Sequence, residues 1–383
     1  MASFRDPESG LAIDNCPHVI LGCCTEAIGF LRRIGSAGQV RFYDRLNLID
    51  RENRLTIEAS GLPAPLHLLG SVARNAYLSG REKAGLCRVL AGMLVSTPEK
   101  AEAAGDYLRS LGCSDGLMER LIGPVIVSAL NETPDEASAK YARMVLYQSL
   151  VGNRRGYRVG VAMVPQSELI GDAALRWLAG KGCEVRLLSR VRSVHQDDGL
   201  ARAIELASGE RLSFDAYVLA VPPDALARMG LGAGGGEHLA WRPIVCAHLF
   251  FDGRTPPFEP ACVVGEPFGW VFSRRPDVGH VEVVASAADR LANLGNDDLL
   301  ALARRSAAAV EPACGEMPVR RGIVYRTKRA TFATLCCDAH RPAAVTPIAN
   351  LFVAGDWTDT GWPATIESAV RSGRAAAKAL LEA

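Results

Sequence analysis

No run in this chain approaches the roughly 20 apolar residues of a membrane-spanning helix, and no block of basic residues breaks a balance of 43 Lys+Arg against 42 Asp+Glu. The first absence leaves no sequence signal for a helical membrane span. The second leaves nothing to track a nucleic-acid backbone, so no nucleic-acid partner is expected. The opening residues, MASFRDPESG, are polar and lack the apolar core of a secretory signal. The 11 cysteines include no C-x-x-C pair, and the adjacent pairs Cys23–Cys24 and Cys336–Cys337 suit zinc poorly. Reduced thiols in the cytoplasm and no metal are the expectation. Repeats and low-complexity segments are also lacking. So is a glycine-rich dinucleotide loop: the spaced glycines of GLGAGGGEH (230–238) follow the helix-like PDALARM and run into the strand-like WRPIVCAHLFF. A dinucleotide loop follows a strand and opens a helix. This one reads as a flexible connection.

What is present is a chain of 383 residues, 49% hydrophobic, with mean hydropathy +0.09. That length fits one large or two interleaved domains. The apolar bias fits a large core, or a core that also holds an apolar tunnel. Residues from about Ile28 to Leu150 read as mainly helical, with starts at Thr97-Pro98-Glu99 and at Thr133-Pro134-Asp135-Glu136. SELIGDAALRWLAGKG (167–182) is an amphipathic helix ended by Gly180 or Gly182, and CEVRLLS reads as a strand after it. Asp198-Gly199 and Ser208-Gly209 are turn signals in an antiparallel meander. That meander leads to an apolar strand over 216–221, stopped by Pro222-Pro223. IVCAHLFFDG, GWVFSRR, HVEVVAS and GIVYRTKRATFA read as strands of a second, antiparallel layer, with a helix at NDDLLALARRSAAAV among them.

The last segment carries the chemistry. LFVA (351–354) is a continuous apolar run, as in a parallel strand buried on both faces. Ligands of open α/β sheets bind beyond the carboxyl ends of strands, where Gly355 and Asp356 stand. An aspartate there can accept hydrogen bonds from sugar-alcohol hydroxyls. After Thr360-Gly361-Trp362-Pro363 an amphipathic helix begins, with Ile366, Ala369, Val370, Gly373, Ala377, Leu380 and Leu381 on one face and Gly373 placed for close packing. Its first N–H groups and dipole make a seat for a pyrophosphate.

The string NLFVAGDWTDTGWPATIESAVRSGRAAA closely resembles the C-terminal flavin motif of the amine oxidase and phytoene desaturase superfamily. Within that superfamily it is most similar to the hydroxysqualene dehydroxylases, the squalene-associated FAD-dependent desaturases. DPESGLAIDNCPHVILGCCTEAIGFLRRIG, GLPAPLHLL, LIGPVIVSALNETPDEASA, VPQSEL, LAVPP and KRATFA resemble family blocks in the same order. The resemblance implies a Rossmann-like α/β flavoprotein fold with two dinucleotide-binding domains, FAD as cofactor, and an inserted α+β substrate domain. The implied boundaries are 1–27, 154–235 and 340–383 for the FAD-binding domain, and 28–153 and 236–339 for the substrate domain. The family opens with a strand, a G-x-G-x-x-G loop and a helix. This sequence begins apparently just past that unit, so the natural start is expected to lie upstream of Met1.

By the same resemblance Asp356 should bind the ribityl chain. Gly355, Thr358, Gly361, Ala364 and Thr365 should lie by the pyrophosphate and isoalloxazine, Val191 by the adenine, and Ala220, Val221 and Pro222 along the cofactor edge. Trp357 and Trp362 are candidates to line the substrate. Asp14 and His18, in IDNCPHV, are the candidate proton donors near the flavin. The implied reaction is reductive removal of the allylic hydroxyl of hydroxysqualene, giving squalene in hopanoid biosynthesis. The implied partners are an apolar isoprenoid, a membrane surface touched through PAPLHLLGSV (63–72), and other enzymes of that route. A polyene desaturase, an amine oxidase and a flavin-free remnant are the competing readings.

Overall fold

The computed structural model describes residues 2–51, 53–99, 101–232, 239–335 and 341–383. Cys336, Cys337 and most of the glycine-rich connection (233–238) therefore lie outside the described residues. Contacts divide the chain into two units: one of 1–24, 36–171 and 241–337, the other of 25–35, 172–240 and 338–383.

The first unit is built on a seven-stranded sheet. Its strands, in chain order, are β1 (Arg45–Asp50), β2 (Asn53–Glu58), β3 (Trp241–Phe251), β4 (Ala261–Val263), β5 (Trp270–Arg275), β6 (His280–Ala285) and β7 (Val319–Phe332). Their spatial order is β7-β3-β6-β5-β4-β1-β2, antiparallel except where β4 runs parallel to β1. Side chains alternate across the sheet with period two. Val245, Ala247, Leu249 and Phe251 of β3, with Val281, Val283 and Ala285 of β6, pack beside Leu299, Ala303 and Ala307 of the helix Asn296–Val310. Cys246 of β3, Phe272 of β5 and Val284 of β6 face the other way, into a core shared with the helical segments of 69–151. The pairing register sets Cys246 beside Val284, and His248 beside Glu282.

The block 28–150 is less helical than its sequence suggests. Leu46/Leu48 and Leu55/Ile57 alternate as core positions of the β1–β2 hairpin, turned at Arg51 with φ 51°. No helix starts at Thr97; the helix begins at Ala104, after an isolated bridge between Ala103 and Ser138. Thr133 instead accepts turn hydrogen bonds from Glu136 and Ala137, and that helix starts at Ala139.

In the second unit the meander forms as expected from strands Val191–Asp197, Leu200–Leu206 and Arg211–Leu212. Asp198, Gly199 and Gly209 take positive φ at its turns. Tyr217–Leu219 pairs in parallel with Leu351–Val353. CEVRLLS is not a strand: residues 183–189 are irregular, Leu187 and Leu188 are exposed, and no ladder takes up the segment.

The C-terminal helix Ile366–Glu382 also departs from its amphipathic reading. Its buried residues are Glu367, Ser368, Ser372 and Ala376, whereas Leu381 is exposed and a Cβ at Gly373 would meet nothing within 4 Å. Hydrogen bonds account for the inversion. Glu367 accepts from the N–H groups of Glu26 (3.2 Å) and Ala27 (2.8 Å), Ser372 Oγ accepts from Gly355 N (2.9 Å), and Ser368 Oγ shares a proton with Thr360 Oγ1 (2.6 Å).

These contacts also shift the segment boundaries relative to the sequence reading. Residues 25–35 join the second unit because Glu367 seats the start of the helix Thr25–Arg33. Residues 1–24 join the first because Arg321 of β7 pairs with Asp6 (2.7 Å) and Phe4 packs on Tyr325. Residues 154–171 join it because Val159–Ala162 pairs with Ile20–Leu21 and Val40–Tyr43.

Candidate active site

Two of the segments singled out in the sequence meet in the second unit. The parallel strands Tyr217–Leu219 and Leu351–Val353 end side by side, and Ala354 N donates to Leu219 O (3.1 Å). Just beyond, the indole Nε1–H of Trp357 donates to Val221 O (3.0 Å). That bond ties the corner Gly355-Asp356-Trp357 to Ala220-Val221-Pro222. Gly355 has φ 151°, and a Cβ there would collide with the Trp357 indole, so only glycine fits. Its carbonyl accepts from both N and Oγ1 of Thr358 (3.1 and 2.9 Å). Burial pushes the Asp356 carboxyl above the ordinary aspartate value, with Arg341 pulling it back.

The helix that follows is capped by Thr365, whose Oγ1 accepts from Ser368 N (3.4 Å). Ala364 is buried in the turn before it, and Gly361, with φ 74°, lets the turn close. A cradle that excludes a Cβ, a carboxyl at a strand's carboxyl end and a capped helix start are what a flavin's polyol and diphosphate need. Asp356 would hold the ribityl hydroxyls, and the backbone at Ala364 and Thr365 would face the diphosphate. Val191 stands apart from this corner in the strand pairing, opening the three-stranded meander. Trp357 is 1% exposed and bonded to the protein, so it is a structural post and not a substrate wall. Trp362 is partly exposed under the Arg371 guanidinium, 4.8 Å from its ring centre.

The two expected proton donors lie in the first unit. Asp14 is held on all sides: Ser3 Oγ (2.6 Å) and Gln166 N (2.9 Å) donate to Oδ1, and Arg274 Nη2 lies 3.3 Å from Oδ2. It acts as a clamp between segments. Loss of water around the ring holds His18 down at about 4, so at neutral pH the ring carries no imidazolium proton to give.

The groups that sequence reading missed lie beside Asp14. Cys246 and His248 on β3, with His280 and Glu282 on β6, sit two residues apart on one face of the sheet, buried with Arg274. Arg274 Nε contacts Glu282 Oε2 (3.2 Å), and Cys246 Sγ–H donates to Glu282 Oε1 (3.4 Å). His248 Nε2–H donates to the Asp14 carbonyl (2.9 Å), which leaves Nδ1 to accept from His280 Nε2–H (3.0 Å). Burial raises Glu282 to about 7, helped by Asp14 and opposed by Arg274; it lowers His248 to about 4 and His280 well below its ordinary value. The ligand atoms of Cys246, His248 and Glu282 lie within 4.8 Å of one another, close enough to share a metal ion, but here they hydrogen-bond to the protein. Asp14, His248, Arg274, His280 and Glu282 line a cavity of about 170 Å³. The signal that could have found them is the i, i+2 placement of polar residues in otherwise apolar strands, in VCAHLF and HVEVVA.

Comparison with known proteins agrees with this geometry. The model of the family described as flavin containing amine oxidoreductase matches residues 1–381. Hydroxysqualene dehydroxylase of Rhodopseudomonas palustris is 31% identical, over 100% of this chain and 89% of its own. The protein of the same name from Sinorhizobium fredii is 29% identical, over 98% and 88%. A variant of putrescine oxidase superimposes with a TM-score of 0.73 over 100% of this chain and 91% of its own, at 15% identity. Among the described residues no helix is long and apolar enough to cross a membrane. The chain belongs to the flavin-containing amine oxidoreductase family and is a flavin-dependent oxidoreductase with that family's fold.

Proposed function

We propose that this protein is an FAD-dependent dehydroxylase that replaces the tertiary allylic hydroxyl of hydroxysqualene with hydrogen, giving squalene for hopanoid or related isoprenoid synthesis. The observation that carries the reading is the end-to-end 31% identity with a hydroxysqualene dehydroxylase. Bound in the reduced state, the flavin supplies the hydride. The protein's part is to hold the cofactor at the Gly355–Asp356 corner, to enclose an apolar chain and to deliver one proton. A cavity of about 490 Å³ in the first unit supports the second task, with Met118, Val127, Val264, Pro267, Trp270 and Val284 in its lining.

So apolar a substrate resides in a bilayer. Leu62 and Leu66, exposed in and beside the segment 63–72, suit a peripheral contact with the inner face of the cytoplasmic membrane. Enzymes that make hydroxysqualene or use squalene are the natural protein partners.

The test is an anaerobic incubation of the FAD-loaded protein with a reductant and hydroxysqualene, with products separated by gas chromatography and mass spectrometry. Squalene is the expected product. Conjugated products from a polyene, or aldehyde from an amine, with no squalene would move the protein to the desaturases or amine oxidases. A colourless protein after reconstitution would remove the flavin reading altogether.

A further inference from the structure

We propose that Glu282 is the acid that protonates the departing hydroxyl, resting as a neutral carboxylic acid between Arg274 and Cys246. The assignment rests on the dehydroxylase reading above, which requires a proton donor and leaves it unnamed.

Charge counting comes first. One cation, Arg274, bridges two buried carboxyl groups: its Nη2 lies 3.3 Å from Asp14 and its Nε 3.2 Å from Glu282. Two carboxylates against one guanidinium would bury a net negative charge, so one carboxyl keeps its proton. Asp14 has both oxygens taken, by Ser3 Oγ and Gln166 N on one and Arg274 on the other. Glu282 has only Arg274 and the weak thiol donor of Cys246, so the proton stays there. The other groups facing this carboxyl are the neutral imidazoles of His248 and His280. Cys16 and Tyr325 lie further out, against Cys246. None of them supplies a second positive charge. The raised affinity of Glu282 for its proton agrees with this count.

Placement comes second. Glu282 is 1% exposed, yet lines the 170 Å³ cavity. Two residues along the same strand and on the same sheet face, Val284 lines the larger apolar cavity. Residues i and i+2 of a strand are about 6–7 Å apart. A long apolar substrate packed along this face would thus bring its one polar group to the one acid on it. His248 Nε2 is 3.8 Å from Glu282 Oε1, but its hydrogen is committed to the Asp14 carbonyl, so His248 positions the acid and does not compete for the proton.

The step balances. The O–H bond of Glu282 breaks as its proton bonds to the substrate oxygen. The C–O bond breaks with its electron pair on oxygen, which leaves as water, and an allylic cation remains. The Glu282 carboxylate that forms is stabilised by Arg274, and a solvent proton restores it. The cation is quenched by the hydride that the proposed reaction already demands of its reductant.

The experiment compares wild type with Glu282→Gln on two substrates: hydroxysqualene, and its acetate ester, whose leaving group needs no proton. Infrared titration of the flavin-free protein is run alongside. General acids contribute about 10²–10⁴-fold. The variant should therefore lose at least about 100-fold on the alcohol while keeping the ester within about tenfold of wild type. Wild-type turnover of the alcohol should fall as pH rises past about 7 while that of the ester stays level. Wild type should also show a buried protonated-carboxyl C=O stretch that disappears over the same range and is missing in the variant. Equal losses on both substrates, or no such band in wild type, would overturn the assignment of Glu282 and leave the dehydroxylase reading standing. No squalene from wild type with either substrate would overturn both.

Discussion

Replacing Glu367 with alanine should be among the most damaging single changes in the second unit. Its carboxylate is fully buried and accepts from the backbone N–H of Glu26 (3.2 Å) and Ala27 (2.8 Å) and from Arg371 Nε (2.9 Å). The two amides belong to the first turn of the helix Thr25–Arg33, where four N–H groups have no partner within the helix. Hydrogen bonds to a charged acceptor contribute about 1.5–3 kcal/mol each, and an orphaned buried donor costs about 1–3 kcal/mol. Losing both amide bonds should cost about 3–5 kcal/mol, a large part of the ~5–15 kcal/mol that holds a typical fold. Glu367→Gln keeps one acceptor oxygen but turns the other position into a donor facing an amide, so about 1–3 kcal/mol is expected. Arg371→Ala removes only a partly exposed partner and should cost about 1 kcal/mol or less. Urea unfolding followed by circular dichroism gives all three values. An alanine variant within about 1 kcal/mol of wild type, or a ranking with Arg371→Ala worst, would show that this buried carboxylate does not seat the helix.

Other outcomes follow from the same structure. Gly355→Ala forces a Cβ into the Trp357 indole at φ 151° and should cost about 2–4 kcal/mol and weaken FAD binding; a flavin titration matching wild type would contradict the cradle. Stability against pH separates Glu282 from the histidines. The folded value of Glu282, about 7 against an ordinary 4.5, stabilises the fold at low pH and is lost as pH rises through that window. His248, at about 4 against 6.5, works the other way and costs stability as pH falls through 6.5 toward 4. Glu282→Gln removes the compensating group, so acid destabilisation between about pH 6.5 and 4.5 should steepen by up to ~1.4 kcal/mol per pH unit; parallel stability curves for variant and wild type would rule this out. Leu62→Asp with Leu66→Asp should reduce sedimentation with anionic vesicles and leave turnover in detergent unchanged. Unaltered vesicle binding would move the membrane contact elsewhere.

The tail was the most legible part of the sequence because its geometry is local. A buried strand, a glycine at its end and a helix start recur within 16 residues, and the structure keeps all three at Leu351–Val353, Gly355 and Ile366. The antiparallel layer was legible for a similar reason, since apolar alternation along β3, β5 and β6 survives in the sheet. The C-terminal helix face was not. Its buried residues are polar, and only partners 13 to more than 300 residues away, or across a turn, make that burial tolerable. The segment 183–189 fails for the converse reason: its composition suits a strand, but a strand needs a neighbour, and no ladder provides one. The Arg274–Glu282–Asp14 cluster joins strands 260 residues apart in sequence, so nothing in the linear order announces it. The paired polar positions within β3 and β6 were its only local trace.

The hydrogen bond from Trp357 to Val221 has an optical consequence. Sealed from water and fixed by its own N–H, this indole should emit at shorter wavelength than the chain's more solvent-accessible tryptophans. It stands two residues from Gly355, so a yellow chromophore settling at that corner would accept its excitation and darken it. Loading of the cofactor could then be followed in real time, without label, through one native fluorophore, and Trp357→Phe would silence that signal.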